Sequence, residues 1–148
     1  VFGNPGTTEI PMLRDIDRYV LTLNDSIAVR MADGLSQVTG YPSLCNLHTL
    51  PGVRNSMAFL YTAMMNRSPL IVTAGQYDHR HIFYDPMLSG DLMGNVSSFV
   101  KYRYEIKETD DIYRTMKRAY MVVMTSPTGS VFLSFPMNFM DGTCGEDF

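Results

Sequence analysis

The chain has no tryptophan, two cysteines and three histidines among its 148 residues. Cys45 and Cys144 stand far apart and form none of the paired spacings that mark zinc or disulfide-exchange motifs. Cys45 lies in a strand-like apolar run and reads as a small buried residue; reduced thiols in a cytoplasmic setting are the default for such usage. No apolar run approaches the ~20 residues of a membrane-spanning helix. There is no run of Lys and Arg, and the net charge is −3, so nothing marks nucleic acid or an anionic membrane as a partner. The glycines form neither the G-x-G-x-x-G of dinucleotide folds nor the G-K-[ST] of phosphate loops. There is no internal repeat and no low-complexity tract.

What is present describes one globular domain. The hydrophobic fraction is 45% and the charged fraction 18%, enough to build a core in a chain of this length. Strand-like and helical patterns alternate. Val1-Phe2-Gly3 looks like the end of a first strand already under way, so the start of the domain is expected to be missing. Asn4-Pro5-Gly6 is a turn, and a first helix is predicted from about Thr8, as its cap, to Ile16. Tyr19–Leu23 reads as a buried strand. A helix follows from Asp25 to Thr39, with Ile27, Ala28, Met31, Ala32, Leu35 and Val38 on its inward face and Gly40 ending it. Gly34 inside that helix implies a close packing contact.

Ser43–Leu47 is a third strand, and a helix begins near Pro51. Leu70–Ala74 is a continuous apolar run, as in a parallel strand covered on both faces. Residues 76–100 are irregular, 102–106 suit a short edge strand, Thr109 caps a helix, and Val131–Phe135 is the last strand. The domain is expected over 1–140, with 141–148 opening a linker. This alternation predicts an α/β, doubly wound, mostly parallel sheet with helices on both faces, with the ends at Gly3, Leu23 and His48 gathered on one edge.

Ligands of such sheets bind at the carboxyl ends of strands. That makes Asp25 the first candidate, either as a functional carboxylate or, the reading its position favours, as a helix N-cap. His48 closes a strand before a Pro-Gly loop and is a structural residue or a general acid/base. His79-Arg80-His81 beside Asp78 is too sparse for a metal site and reads as a solvated loop.

The ordered motifs are more specific. VFGNPGTTEIP at 1–11, ADG at 32–34, NLH at 46–48, GVRNSM at 52–57, SPLIVTAGQ at 68–76 and PTGSVFLSFP at 127–136 resemble the N-terminal, pyrimidine-binding domain of thiamine diphosphate-dependent enzymes. The resemblance is to the 2-oxo acid decarboxylase and acetolactate synthase type, nearest to the benzoylformate decarboxylase group. It implies a cofactor, thiamine diphosphate, whose aminopyrimidine this domain would bind and activate. The diphosphate and a Mg²⁺ ion would be held by a separate diphosphate-binding domain of a partner subunit, in a homodimer or homotetramer acting on a small 2-oxo acid. The chain alone would then be inactive.

By the same resemblance, Pro5 and Gly6 belong to the cofactor-binding turn, and Thr7 stands where a hydroxyl lies near the substrate carboxylate. His48 matches a proton-transfer histidine, and Gly52 and Asn55 match the loop beside the pyrimidine. Leu50-Pro51 replaces smaller residues and would reshape the substrate pocket. Asp25 falls where the family carries the Glu that bonds the pyrimidine N1′ and favours the imino tautomer. That departure also opens the alternative of a non-catalytic or regulatory relative that keeps the fold and dimer surface.

Overall fold

The computed structural model describes residues 1–14 and 16–142. The linker expected over 141–148 falls almost wholly outside the described residues. Six strands form one sheet: β1 (Phe2–Gly3), β2 (Val20–Leu21), β3 (Ser43–Leu47), β4 (Leu70–Gln76), β5 (Tyr102–Glu105) and β6 (Val131–Pro136). Their order is β2-β1-β3-β4-β6-β5, and every neighbouring pair is parallel. The helices are α1 (Ile10–Leu13), α2 (Asp25–Thr39), α3 (Thr49–Asn66), α4 (His79–Ile82), α5 (Leu92–Val96), α6 (Asp111–Met124) and α7 (Met137–Met140). The expected doubly wound α/β fold is thus observed.

Strand alternation divides the core into two layers. Cys45 and Leu47 of β3, Val72 and Ala74 of β4 and Phe132 of β6 face α2, α3 and α5, where they meet Ala28, Ala32, Val53, Leu60 and Val96. The intervening residues Ile71, Val131, Leu133 and Phe135 face α6 and meet Ala119 and Val123. Central strands with apolar side chains on both faces are the signature of helices covering both sides of a parallel sheet. β4 and β6 are buried along their whole length.

Five local expectations are corrected. The predicted 8–16 helix is a single 3₁₀ turn at Thr7–Glu9 followed by the short α1, and Thr8 caps neither; its hydroxyl is drawn instead to Glu9. The predicted buried strand Tyr19–Leu23 is the two-residue, exposed edge strand β2, paired on one side only. The N-cap of α2 is Asn24, whose side chain accepts from the Ser26 N–H, while Asp25 is the first helical residue. Finally, α2 buries Ala28, Val29 and Ala32 and leaves Ile27, Met31, Leu35 and Val38 outside. The small residues form the inner row because they let α2 approach β1 and β3 closely. Gly34 has no close packing contact within the chain: a Cβ built there meets nothing within 4 Å.

Cys45 is fully buried, as expected, and burial pushes its thiol from an ordinary 9.0 up to about 12. In the unfolded chain it ionises near its ordinary value, so between these limits the unfolded state binds fewer protons than the folded one. Stability is therefore intact below pH 9 and is lost as pH rises toward 12. Urea midpoints measured from pH 8 to 11 should decline above pH 9, and Cys45→Ala should flatten that decline. Folded Cys45 should also resist thiol reagents at pH 8.

Candidate functional site

The strand order reverses between β1 and β3, and this switch point is where an open parallel sheet leaves a crevice at the strand ends. Three segments leave the carboxyl edge there: Asn4–Glu9 after β1, Asn24–Asp25 after β2, and His48–Gly52 after β3. They bring Asp25, His48 and a third residue, Glu9, into one network.

Glu9 is fully buried. Its Oε2 accepts from the Gly6 N–H at 2.8 Å and from His48 Nδ1 at 2.8 Å, and its Oε1 accepts from the Thr8 hydroxyl at 2.5 Å. Removing a carboxylate from water costs several kcal/mol unless its lone pairs are used. Three donors use them here, each worth about 1.5–3 kcal/mol to a charged acceptor. Because the carboxylate accepts, Nδ1 of His48 carries hydrogen and Nε2 is the ring nitrogen left for a bound molecule. Gly6 lies flat against the ring, since a Cβ on it would stand 2.1–2.6 Å from three imidazole atoms.

Asp25 holds the backbone of the same histidine. Its Oδ1 accepts from the His48 N–H at 2.8 Å, and its Oδ2 has a longer contact, 3.4 Å, from Asn4 Nδ2. Gly52, on the first turn of α3, closes over it: a Cβ there would lie 2.5 Å from Oδ1. Between His48 and that turn, Thr49 is held at φ 48°, a left-handed conformation that a β-branched residue rarely adopts. Burial, and then the nearby carboxylates of Glu9 and Asp25, push the Tyr19 phenol upward beneath this network. One side is walled by residues 86–90, tied by the Leu50 N–H to Leu88 O and by Gln76 Nε2 to Gly90 O.

The family follows from this geometry together with the sequence comparisons. A model of the thiamine pyrophosphate enzyme N-terminal TPP-binding domain matches residues 1–93. The chain belongs to that family. It is 36% identical to a benzoylformate decarboxylase of Pseudomonas aeruginosa over 140 residues, 92% of this chain and 26% of that protein. It is 31% identical to the large subunit of acetolactate synthase isozyme 3 of Escherichia coli over 147 residues, 95% of this chain and 25% of that protein. Among solved structures, a thiamine diphosphate-dependent 4-hydroxybenzoylformate decarboxylase of Rhodococcus jostii superposes with a TM-score of 0.91 at 36% identity, covering 97% of this chain and 28% of that one. The chain therefore spans about a quarter of the length of these curated relatives.

Within this thiamine pyrophosphate-binding domain, Pro5, Gly6, Asp25, His48 and Gly52 converge at the switch point. Thr7 and Asn55 stand on its exposed rim, at the 3₁₀ turn and on α3. Glu9 was missed by the sequence reading. The signal for it was the spacing Gly6-x-x-Glu9, that of a residue reaching back to the N-cap amide. His79 lies away from this network, paired with Glu105 at 3.4 Å. Among the described residues, no group of three or more His, Cys, Asp or Glu could hold a metal ion, and no helix is long and apolar enough to cross a membrane.

Gly52→Ala tests the geometry. Its methyl cannot be accommodated without moving Asp25 off the His48 N–H, which leaves buried groups unpaired at about 1–3 kcal/mol. Chemical denaturation should show a loss in that range. A wild-type midpoint would mean that Asp25 does not pack against this turn.

Proposed function

We propose that this chain is the aminopyrimidine-binding and activating domain of a thiamine diphosphate-dependent enzyme that decarboxylates a small 2-oxo acid, in the manner its benzoylformate decarboxylase relatives are named for. The observation that carries the reading is the Asp25 carboxylate at the switch point, with Oδ1 satisfied by His48 and Oδ2 only lightly engaged. That acceptor fits an aminopyrimidine, because a carboxylate oxygen is left to bond a ring nitrogen. When bound, thiamine diphosphate supplies the electron sink that cleavage beside the 2-oxo carbonyl requires. The diphosphate and its Mg²⁺ belong, in this reading, to a diphosphate-binding domain of a partner subunit, which completes the site.

The remaining work falls to this chain's residues. Asp25 Oδ2 holds the pyrimidine ring nitrogen and favours its protonated form. His48 Nε2 gives or takes a proton at the reacting carbonyl, while Glu9 keeps the hydrogen on Nδ1. The exposed Thr7 hydroxyl donates to the substrate carboxylate, and the 86–90 wall with Leu50 limits the size of the acid admitted. Both the lyase reaction and joining to a second carbonyl use this arrangement; the identity to benzoylformate decarboxylase favours the first.

A second reading has its own observation. Asp25 already clamps the His48 backbone, so the carboxylate could serve structure alone in a non-catalytic relative. Hydrogen exchange at C2 of the cofactor bound to the full-length protein separates the two. Asp25→Asn keeps an acceptor for the His48 N–H but is a poor proton acceptor, so exchange should fall by on the order of 10²-fold. Asp25→Glu should preserve or raise it. Equal rates in all three forms would establish the structural reading. In the same protein, His48→Ala should lower kcat by ~10²–10⁴ and leave cofactor affinity nearly unchanged.

A further inference from the structure

Asp78-His79-Arg80-His81 plays no part in the network around Asp25 and His48, yet it opens the stretch that ends in the wall of that site. Residues 77–90 leave the carboxyl end of β4 and return beside it, where the buried Gln76 donates from Nε2 to Gly90 O at 3.1 Å. No residue from 77 to 90 is buried, and Phe83 is 85% and Met87 82% exposed. The rings of the loop pack on one another instead, Tyr77 against His81 at 5.8 Å and Phe83 against Tyr84 at 5.4 Å. A loop with so little apolar burial belongs to the least stable part of a fold, and its position depends on the polar contacts that tie it down.

One such contact lies near its start. His79 Nε2 stands 3.4 Å from Oε1 of Glu105, the last residue of β5. Glu105 is already aimed, because its other oxygen accepts at 2.8 Å from the hydroxyl of Ser134, fully buried on β6. α7 supplies the rest of the seat: Phe139 lies edge-on to the imidazole at 5.3 Å, and Asn138 Oδ1 accepts from the His79 N–H at 3.3 Å. Neither β6 nor α7 carries a charged residue. On its own segment His79 has Asp78, Arg80 and His81 beside it. Hydrogen bonds from Arg80 hold the Asp78 carboxyl down at about 2, so both members of that pair keep their charge across neutral pH. His81 faces Tyr77 and Tyr84.

We propose that His79 and Glu105 form a proton-controlled latch on the 77–90 loop, drawn shut when His79 is charged. The distance of 3.4 Å is the reason. A neutral imidazole gains little there, because a good N–H···O bond is made at about 2.7–3.2 Å. An imidazolium still gains, since attraction between charges falls only with the first power of distance. Histidine is the side chain whose charge ordinarily changes between about pH 5 and 8. The latch is therefore tightest on the acid side of that window and slackens as pH rises through it. The same loop carries Leu88 and Gly90, which meet the Leu50 N–H and Gln76 at the wall of the site, so slackening at His79 loosens the wall. That consequence for substrate rests on the function proposed above; the latch itself does not.

Hydrogen-exchange mass spectrometry of the full-length protein, with neither cofactor nor substrate, reads the latch on peptides covering 77–90. After correction for the intrinsic effect of pH, wild-type exchange should be about threefold faster at pH 8 than at pH 5.5. His79→Arg keeps a positive charge at both pH values and should remove the difference. Glu105→Gln can still accept from Ser134 and should exchange fast at both. His81→Gln should keep the wild-type difference. A wild type without pH dependence, a Glu105→Gln protein that retains it, or a His81→Gln protein that loses it would overturn the proposal, whatever reaction the site performs.

Discussion

The buried carboxylate of Glu9 is the constraint on which the strand-end region depends. It has no route to water, so the backbone of Gly6, the hydroxyl of Thr8 and the ring of His48 must all point at it. Those demands explain local features that otherwise look unrelated. The chain after β1 tightens into a 3₁₀ turn because the Gly6 amide must reach Oε2. Gly6 has no side chain because the imidazole lies against it. Removing one donor would leave a buried group unpaired, at about 1–3 kcal/mol.

Asp25 repeats the arrangement on the backbone side. His48 is gripped twice, at its amide by Asp25 and at its ring by Glu9, from segments that follow two different strands. A histidine fixed in this way has a defined tautomer and a defined direction before anything binds. Such preorganisation is what an acid/base group at a strand end needs, and the strained φ of Thr49 beside it is the kind of local cost that functional sites carry.

The parts of this structure that obey local rules were legible in the sequence. β3, β4 and β6 are short apolar runs bounded by Gly and Pro, and α2 stops at Gly40 as expected. Asp25 and His48 were singled out from their places at strand ends. What escaped was non-local. Glu9 reads as an ordinary first-turn acid until His48, 39 residues away, is folded onto it. Asn24 and Asp25 are equally good caps by residue type, and only the pull of the His48 amide on Asp25 assigns the cap to Asn24. Tyr19–Leu23 has strand composition, but an edge position left just two residues paired. In α2 the period was right and the face was wrong, because Ala28 and Ala32 compete with larger apolar neighbours for the inner row and win by permitting close approach.

The central claim is that Glu9 fixes the His48 tautomer, and nitrogen-15 NMR of the imidazole reads it directly. In the wild-type protein near neutral pH, His48 should show a protonated Nδ1 and an unprotonated Nε2, and Glu9→Gln should lose that preference. A wild-type ring protonated at Nε2 alone, or a tautomer unchanged by Glu9→Gln, would contradict the account.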